Sequence, residues 1–113
     1  MKPAQKKARR LQTTLIRAVV WDRSQGRCEG CCKFLADEVG EMDHMWGRAK
    51  VAQQVSNCWR LCTPCHRAKT DNRPSRANWL HRILFVVNQH DYTDEKERCL
   101  ARLAVLTAKG MAP

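Results

Sequence analysis

The apolar positions of this chain recur mostly at helical spacing. Leu11, Leu15, Ala18 and Val19 fall three or four residues apart, and Ile16, Val20 and Trp21 widen that stripe. The pattern predicts a helix from Leu11 to Arg23, closed by Gly26. Ahead of it, residues 1–10 carry Lys2, Lys6, Lys7, Arg9 and Arg10 without an acid, and read as a mobile basic arm. After Gly26 the helical period is lost. Residues 27–33 form a cysteine-rich turn. Residues 34–45 suggest a short strand, a turn at Gly40 and a second strand around Glu41 to Met45. Trp46 to Ser56 has mixed polarity and reads as a loop, and Asn57 to Leu61 reads as the partner or edge of the hairpin. Cys62-Thr63-Pro64-Cys65 is a turn that opens a helix running through Lys69, and Asp71, Asn72 and Pro74 break it. Trp79, Leu80, Ile83, Leu84 and Val87 then mark a helix over Ser75 to His90. A last helix, capped by Thr93 or Asp94, turns Leu100, Leu103 and Leu106 inward. The sum is an α+β chain: one small domain with a basic arm over residues 1–10, a central module over 11–73 and a helical extension over 74–113.

Composition narrows the class. At 113 residues the chain fits a single domain with a modest core, which a structural metal would help to hold. The net charge of +10 points to a polyanionic partner. The charge is uneven: Glu29 to Asp43 is acidic apart from Lys33, whereas Arg48 to Arg82 is basic apart from Asp71. No apolar run is long enough to span a membrane. The leading segment has no signal-peptide core, so the expected compartment is the cytoplasm. Seven cysteines, an odd number, then read as metal ligands rather than a disulfide framework.

Two tight pairs, Cys28-x-x-Cys31 and Cys62-x-x-Cys65, supply four thiolates, the set that a structural zinc ion prefers. The run Cys62-Thr63-Pro64-Cys65-His66 also matches a c-type haem attachment site, which needs export, and Cys62–Cys65 could form a redox dithiol, which needs a βαβ setting. Cys32 and Cys58 have no partner at knuckle spacing. With Cys99 they read as small hydrophobes.

Between the pairs lies Glu41-Met42-Asp43-His44-Met45, then Asn57, then Leu61-Cys62-x-x-Cys65-His66-x-x-Lys69. In this order and spacing, residues 15–73 resemble the HNH endonuclease family, whose ββα-metal module sits on a four-cysteine zinc knuckle. Trp46-Gly47-Arg48 is similar to a Gly-Arg that follows Asp-His in small phage-type members. The strand pattern is compatible with such a site, because adjacent strand residues point to opposite faces and Asp43 and His44 would flank a substrate. Consecutive helical residues point about 100° apart, so a zinc-facing Cys65 leaves His66 free to reach Asp43.

The resemblance implies the roles. His44 would be the general base that activates water, Asp43 and His66 would hold one divalent cation (magnesium or manganese first, with nickel or zinc as alternatives), and Asn57 would fix the catalytic loop and orient His44. Zinc on Cys28, Cys31, Cys62 and Cys65 would stay structural. DNA would be the substrate, and a phage DNA-packaging terminase would be a partner. Arg48, Lys50, Arg60, Arg67 and Lys69 are the candidates for phosphate contact. Trp46 and Trp59 suit either nucleotide stacking or the core, while Trp21 and Trp79 suit the core. His81 and His90 match no motif. The alternative function is a zinc-dependent DNA-binding module without catalysis, which has no use for Asp43, His44, Asn57 and His66 together. A zinc module for protein contacts fits the charge less well.

Overall fold

The computed structural model describes residues 2–46 and 54–110. Its elements are α1 (Pro3–Ser24), β1 (Glu41–His44), a 3-10 turn (Val55–Asn57), β2 (Cys58–Leu61), α2 (Thr63–Thr70), α3 (Arg76–Gln89) and α4 (Thr93–Ala108). The architecture is α+β: four helices around one two-stranded antiparallel sheet. No helix among the described residues is long and apolar enough to cross a membrane.

The strand register sets the site. Glu41 opposes Leu61, Met42 opposes Arg60, Asp43 opposes Trp59 and His44 opposes Cys58. Directly opposed residues share a face of the sheet. Met42 and Cys58 therefore pack together against Ile16 and Val20 of α1. Trp59 and Leu61 turn the other way, into the main core with Trp79, Leu80, Ile83 and Val87 of α3 and with Cys99 and Leu106 of α4. Trp59 meets Trp79 edge-on, with ring centroids 6.2 Å apart. Covered on both faces, β2 is buried at all four positions.

Three local expectations change. The first helix begins at Pro3, with Pro in its first turn, so the basic stretch is helical rather than an irregular arm. It ends at Gln25 in the left-handed conformation. Its buried residues are Ile16, Val20 and Ser24, whereas Leu11, Leu15 and Val19 are 61%, 59% and 51% exposed. The helix has two apolar stripes, and the sheet takes the one that fits Cys58. No strand forms over residues 34–40, where a single bridge joins Arg27 to Phe34. The backbone carbonyls of Ala36 and Val39 accept hydrogen bonds from the Arg60 guanidinium instead. In α4 the buried residues are Glu95, Cys99 and Leu106, Leu103 is half-buried and Leu100 is exposed. Glu95 is tolerated inside because Gln54 and Ser56 donate to its carboxylate at 3.2 and 3.1 Å.

Candidate metal centre and active-site cleft

Cys28, Cys31, Cys62 and Cys65 converge, with all four sulfurs within 4.8 Å of one another. The Cys31 and Cys62 sulfurs are 3.9 Å apart. Two thiolates on a tetrahedral zinc with bonds of about 2.3 Å stand roughly 3.8 Å apart, so this donor set fits a structural zinc ion. The Cys28 sulfur accepts backbone N–H groups from Gly30, Cys31 and Cys62 at 3.3, 3.4 and 3.3 Å. Burial raises the Cys28 thiol, but these three donors outweigh it and hold the thiol below its ordinary value. Burial raises Cys62 and Cys65, which lack such a set of donors.

The knuckle packs closely on the core. A Cβ at Gly30 would lie 2.9 Å from Leu61 and 3.3 Å from Trp79, so only glycine fits between the first two ligands. Glu29, beside it, forms a buried bidentate pair with Arg23 of α1 at 2.7 and 2.9 Å. Glu29 also accepts the Arg60 N–H at 3.0 Å, and Arg23 donates onward to the carbonyls of Val55 and Cys58. This brace between α1, the knuckle and β2 has no signature in the sequence pattern.

Glu41 and Asp43 lie two residues apart on β1 and so share a face, which they turn toward α2. There His66, the residue after the last zinc ligand, sits between them. Its Nδ1 is 2.7 Å from Glu41 Oε2, and its Nε2 is 3.4 Å from Asp43 Oδ1. A carboxylate only accepts, so His66 Nδ1 donates to Glu41. The ring thereby turns its Nε2 edge toward Asp43 Oδ1. The other Asp43 oxygen accepts the Trp59 indole N–H at 2.9 Å and pairs with Lys69 at 2.9 Å. Two donors 3.4 Å apart match neighbouring ligands on one small divalent cation, whose bonds run about 2.0–2.2 Å. A carboxylate behind the far nitrogen is the usual support of a metal-bound histidine. The sequence reading missed Glu41. Its signal was there in the two-residue offset from Asp43.

A cleft of about 520 Å³ opens beside this pair, lined by Asp43, His44, Trp46, His66, Lys69, Asn72 and Arg76 among others. His44 is buried at the end of β1, where its register with Cys58 puts it on the opposite face of the strand from Asp43, and its carbonyl, at the edge of the cleft, accepts from Lys69 at 3.3 Å. Asn57 is fully buried behind the strand. Its side-chain oxygen accepts the Trp46 N–H at 3.0 Å and its carbonyl accepts the Met45 N–H at 2.7 Å, so it clamps the backbone that leaves His44.

The phosphate-contact candidates separate. Arg60 is not a surface cation. It is 2% exposed, and its guanidinium is spent on the carbonyls of Ala36 and Val39 and on the Ser24 hydroxyl. Lys69 lines the cleft but is paired with Asp43. Arg67 is exposed on α2. Arg48 and Lys50 lie outside the described residues. Arg76, at the start of α3, is exposed at the cleft rim, beyond the reach of the motif that guided the sequence reading. Trp59 and Trp79 belong to the core, and Trp46 is half-buried. Trp21 is half-buried under Arg17 and Arg60. Cys58 and Cys99 are buried, but Cys32 is exposed.

No protein-family model, curated protein or solved structure matches this chain.

Proposed function

We propose that the chain is a metal-dependent DNA endonuclease of the HNH type. The observation that carries this reading is the line Glu41–His66–Asp43, opening into the cleft that His44 also lines. A binding module without chemistry has no need of a histidine oriented by one carboxylate toward another. In this reading His44 takes the proton of the attacking water. Asp43 Oδ1 and His66 Nε2 hold a divalent cation, magnesium or manganese, which when bound stabilises charge on the phosphate and the departing 3′ oxygen. Lys69 pairs with Asp43 and aligns it, Asn57 steadies the backbone after His44, and the zinc knuckle fixes His66 one residue from Cys65. The net charge of +10 supports a nucleic-acid substrate. A cytoplasmic setting and a terminase partner belong to the same proposal through the family resemblance alone.

The test is plasmid cleavage with magnesium, manganese, nickel or no added metal, comparing the native chain with His44→Ala. The expected result is metal-dependent cleavage that falls roughly 100-fold or more in the variant, with zinc content and circular dichroism unchanged. A native chain that binds plasmid but cuts it with none of these metals would overturn the nuclease reading in favour of a zinc-dependent DNA-binding module.

A further inference from the structure

Helix α1 has a second apolar stripe that nothing among the described residues buries. Ala4, Ala8, Leu11, Leu15 and Ala18 follow one another at spacings of 4, 3, 4 and 3, and all five are exposed. Leu11 and Leu15 are 61% and 59% exposed, and Val19 beside them is 51% exposed. This is the period of a coiled-coil seam. At 100° per residue the seam lies on the side of the helix away from Ile16, Val20 and Ser24, the residues that pack on the body. The charges are sorted as well. Lys2, Lys6, Arg9, Arg10 and Arg17 fall on the side away from the seam, while the positions flanking it are mostly neutral: Gln5, Gln12, Thr14 and Val19, with Lys7 the exception.

The first half of α1 also stands clear of the body. Its buried residues begin only at Ile16, and the radius of gyration of 14.7 Å exceeds the roughly 13.3 Å of a compact chain of this length. A dozen residues of helix with no buried position are marginal in water, so a partner along the seam would stabilise them.

We infer that the seam is covered by a second copy of this chain, with the two α1 helices antiparallel and Leu11 of one copy against Leu15 of the other. An acidic partner helix would seek cations at the flanking positions, and these are nearly absent there. Two copies meet there with Lys7 as the charged residue nearest the seam. Direction follows from charge. Parallel pairing would lay the basic run Lys2–Arg10 on its own copy. The antiparallel arrangement brings those first turns to Asp22, the one acid of the helix and itself exposed. It also sets the two bodies at opposite ends of the paired helices. A seam with three alanines in five positions gives a weak, concentration-dependent dimer rather than an obligate one.

Sedimentation equilibrium on the full zinc-loaded chain without DNA, from low micromolar to several hundred micromolar, tests this. A monomer–dimer equilibrium is expected that Leu11→Glu combined with Leu15→Glu weakens roughly tenfold or more. Both residues are outside the core, so zinc content and thermal melting of the variant should match the native chain. In a Cys32→Ser background, Leu11→Cys should cross-link with Leu15→Cys in mixtures and far less with itself. A chain that is monomeric throughout, or a dimer indifferent to the two glutamates, would overturn the inference. Predominant self-linking at position 11 would overturn the antiparallel pairing. None of these outcomes depends on whether the chain cuts DNA.

Discussion

A guanidinium buried to 2% exposure in a chain of charge +10 shows how little the sign of a residue says about its work. Arg60 cross-links the Ala36–Val39 loop, Ser24 and β2, and it packs against Gly40, where a Cβ would lie 3.1 Å from its Nε. Replacing it removes the donors that hold the Ala36–Val39 loop to β2. Arg60→Met should lower stability by about 2–4 kcal/mol in denaturant unfolding, whereas Arg67→Met, on the exposed face of α2, should fall within about 0.5 kcal/mol of the native chain. Equal stability of the two would refute the structural role of Arg60. Glu41 carries a second residue-scale prediction. Glu41→Gln keeps the size of the side chain but weakens the charge-assisted bond to His66 Nδ1. The manganese concentration needed for half-maximal cleavage should rise about 10–100-fold while the rate at saturating metal stays close to native. A fall in the saturated rate with no change in metal demand would instead mean that Glu41 touches the reacting atoms. Legibility at this scale follows from locality. The four cysteines announce themselves because each pair is set by a turn of four residues. Asp43 and His66 were singled out through the family pattern, and the structure brings them within 3.4 Å of each other. Glu41 and Arg76 were missed because their relevance comes from strand parity and from a helix outside that pattern. Arg60 was misjudged because its partners, 21 to 36 residues away in sequence, leave no local mark.

At the scale of elements, period told where the helices are better than which way they face. The extents of α3 and α4 followed the apolar spacing closely, yet α4 buries Glu95 and Cys99 and leaves Leu100 exposed. A helix with apolar residues on more than one side is oriented by its neighbours, here by Leu80 of α3, whose carbonyl accepts from the Cys99 thiol at 3.7 Å. Burial between α3 and α4 pushes the Cys99 thiol up to about 12 from an ordinary value of 9.0. The sign follows directly. Below pH 9 the thiol is neutral in both folded and unfolded chains and contributes no pH dependence. From pH 9 to about 12 only the unfolded chain ionises, so this group's contribution to stability is progressively lost as pH rises. Because the thiolate is the nucleophile, Cys99 should resist iodoacetamide up to about pH 10 until the helices separate. In the zinc-loaded chain, mass spectrometry should find Cys32 alkylated first, as the exposed cysteine outside the metal cluster. Early labelling of Cys99 would mean that the α3–α4 pair opens readily or that its contact is wrong.

For the molecule as a whole, a metal ion on the four cysteines would link folding to the proposed chemistry. The ligands come in pairs more than thirty residues apart, and each pair anchors one side of the site: Cys28 and Cys31 through Glu29 and Arg60 to β2, Cys62 and Cys65 through His66 to the cleft. Without metal, four cysteine sulfurs crowd a space a few ångströms across with no ion to hold them together. A core this small has little reserve. Chelation under reducing conditions should therefore lower the melting temperature substantially and remove hydrogen-exchange protection around β1, β2 and the knuckle. The α3–α4 pair has its own contacts and should lose protection later. The proposed function gives the two metals separate tests. If His66 is held by Cys65, then stripped protein should not recover cleavage with magnesium or manganese alone, and should recover it when zinc is restored first. Recovery without zinc, with the four cysteines demonstrably empty, would break the link between knuckle and cleft. Loss of cleavage with unchanged melting would show that the removed metal belonged to the cleft, at Asp43 and His66, rather than to the cysteines.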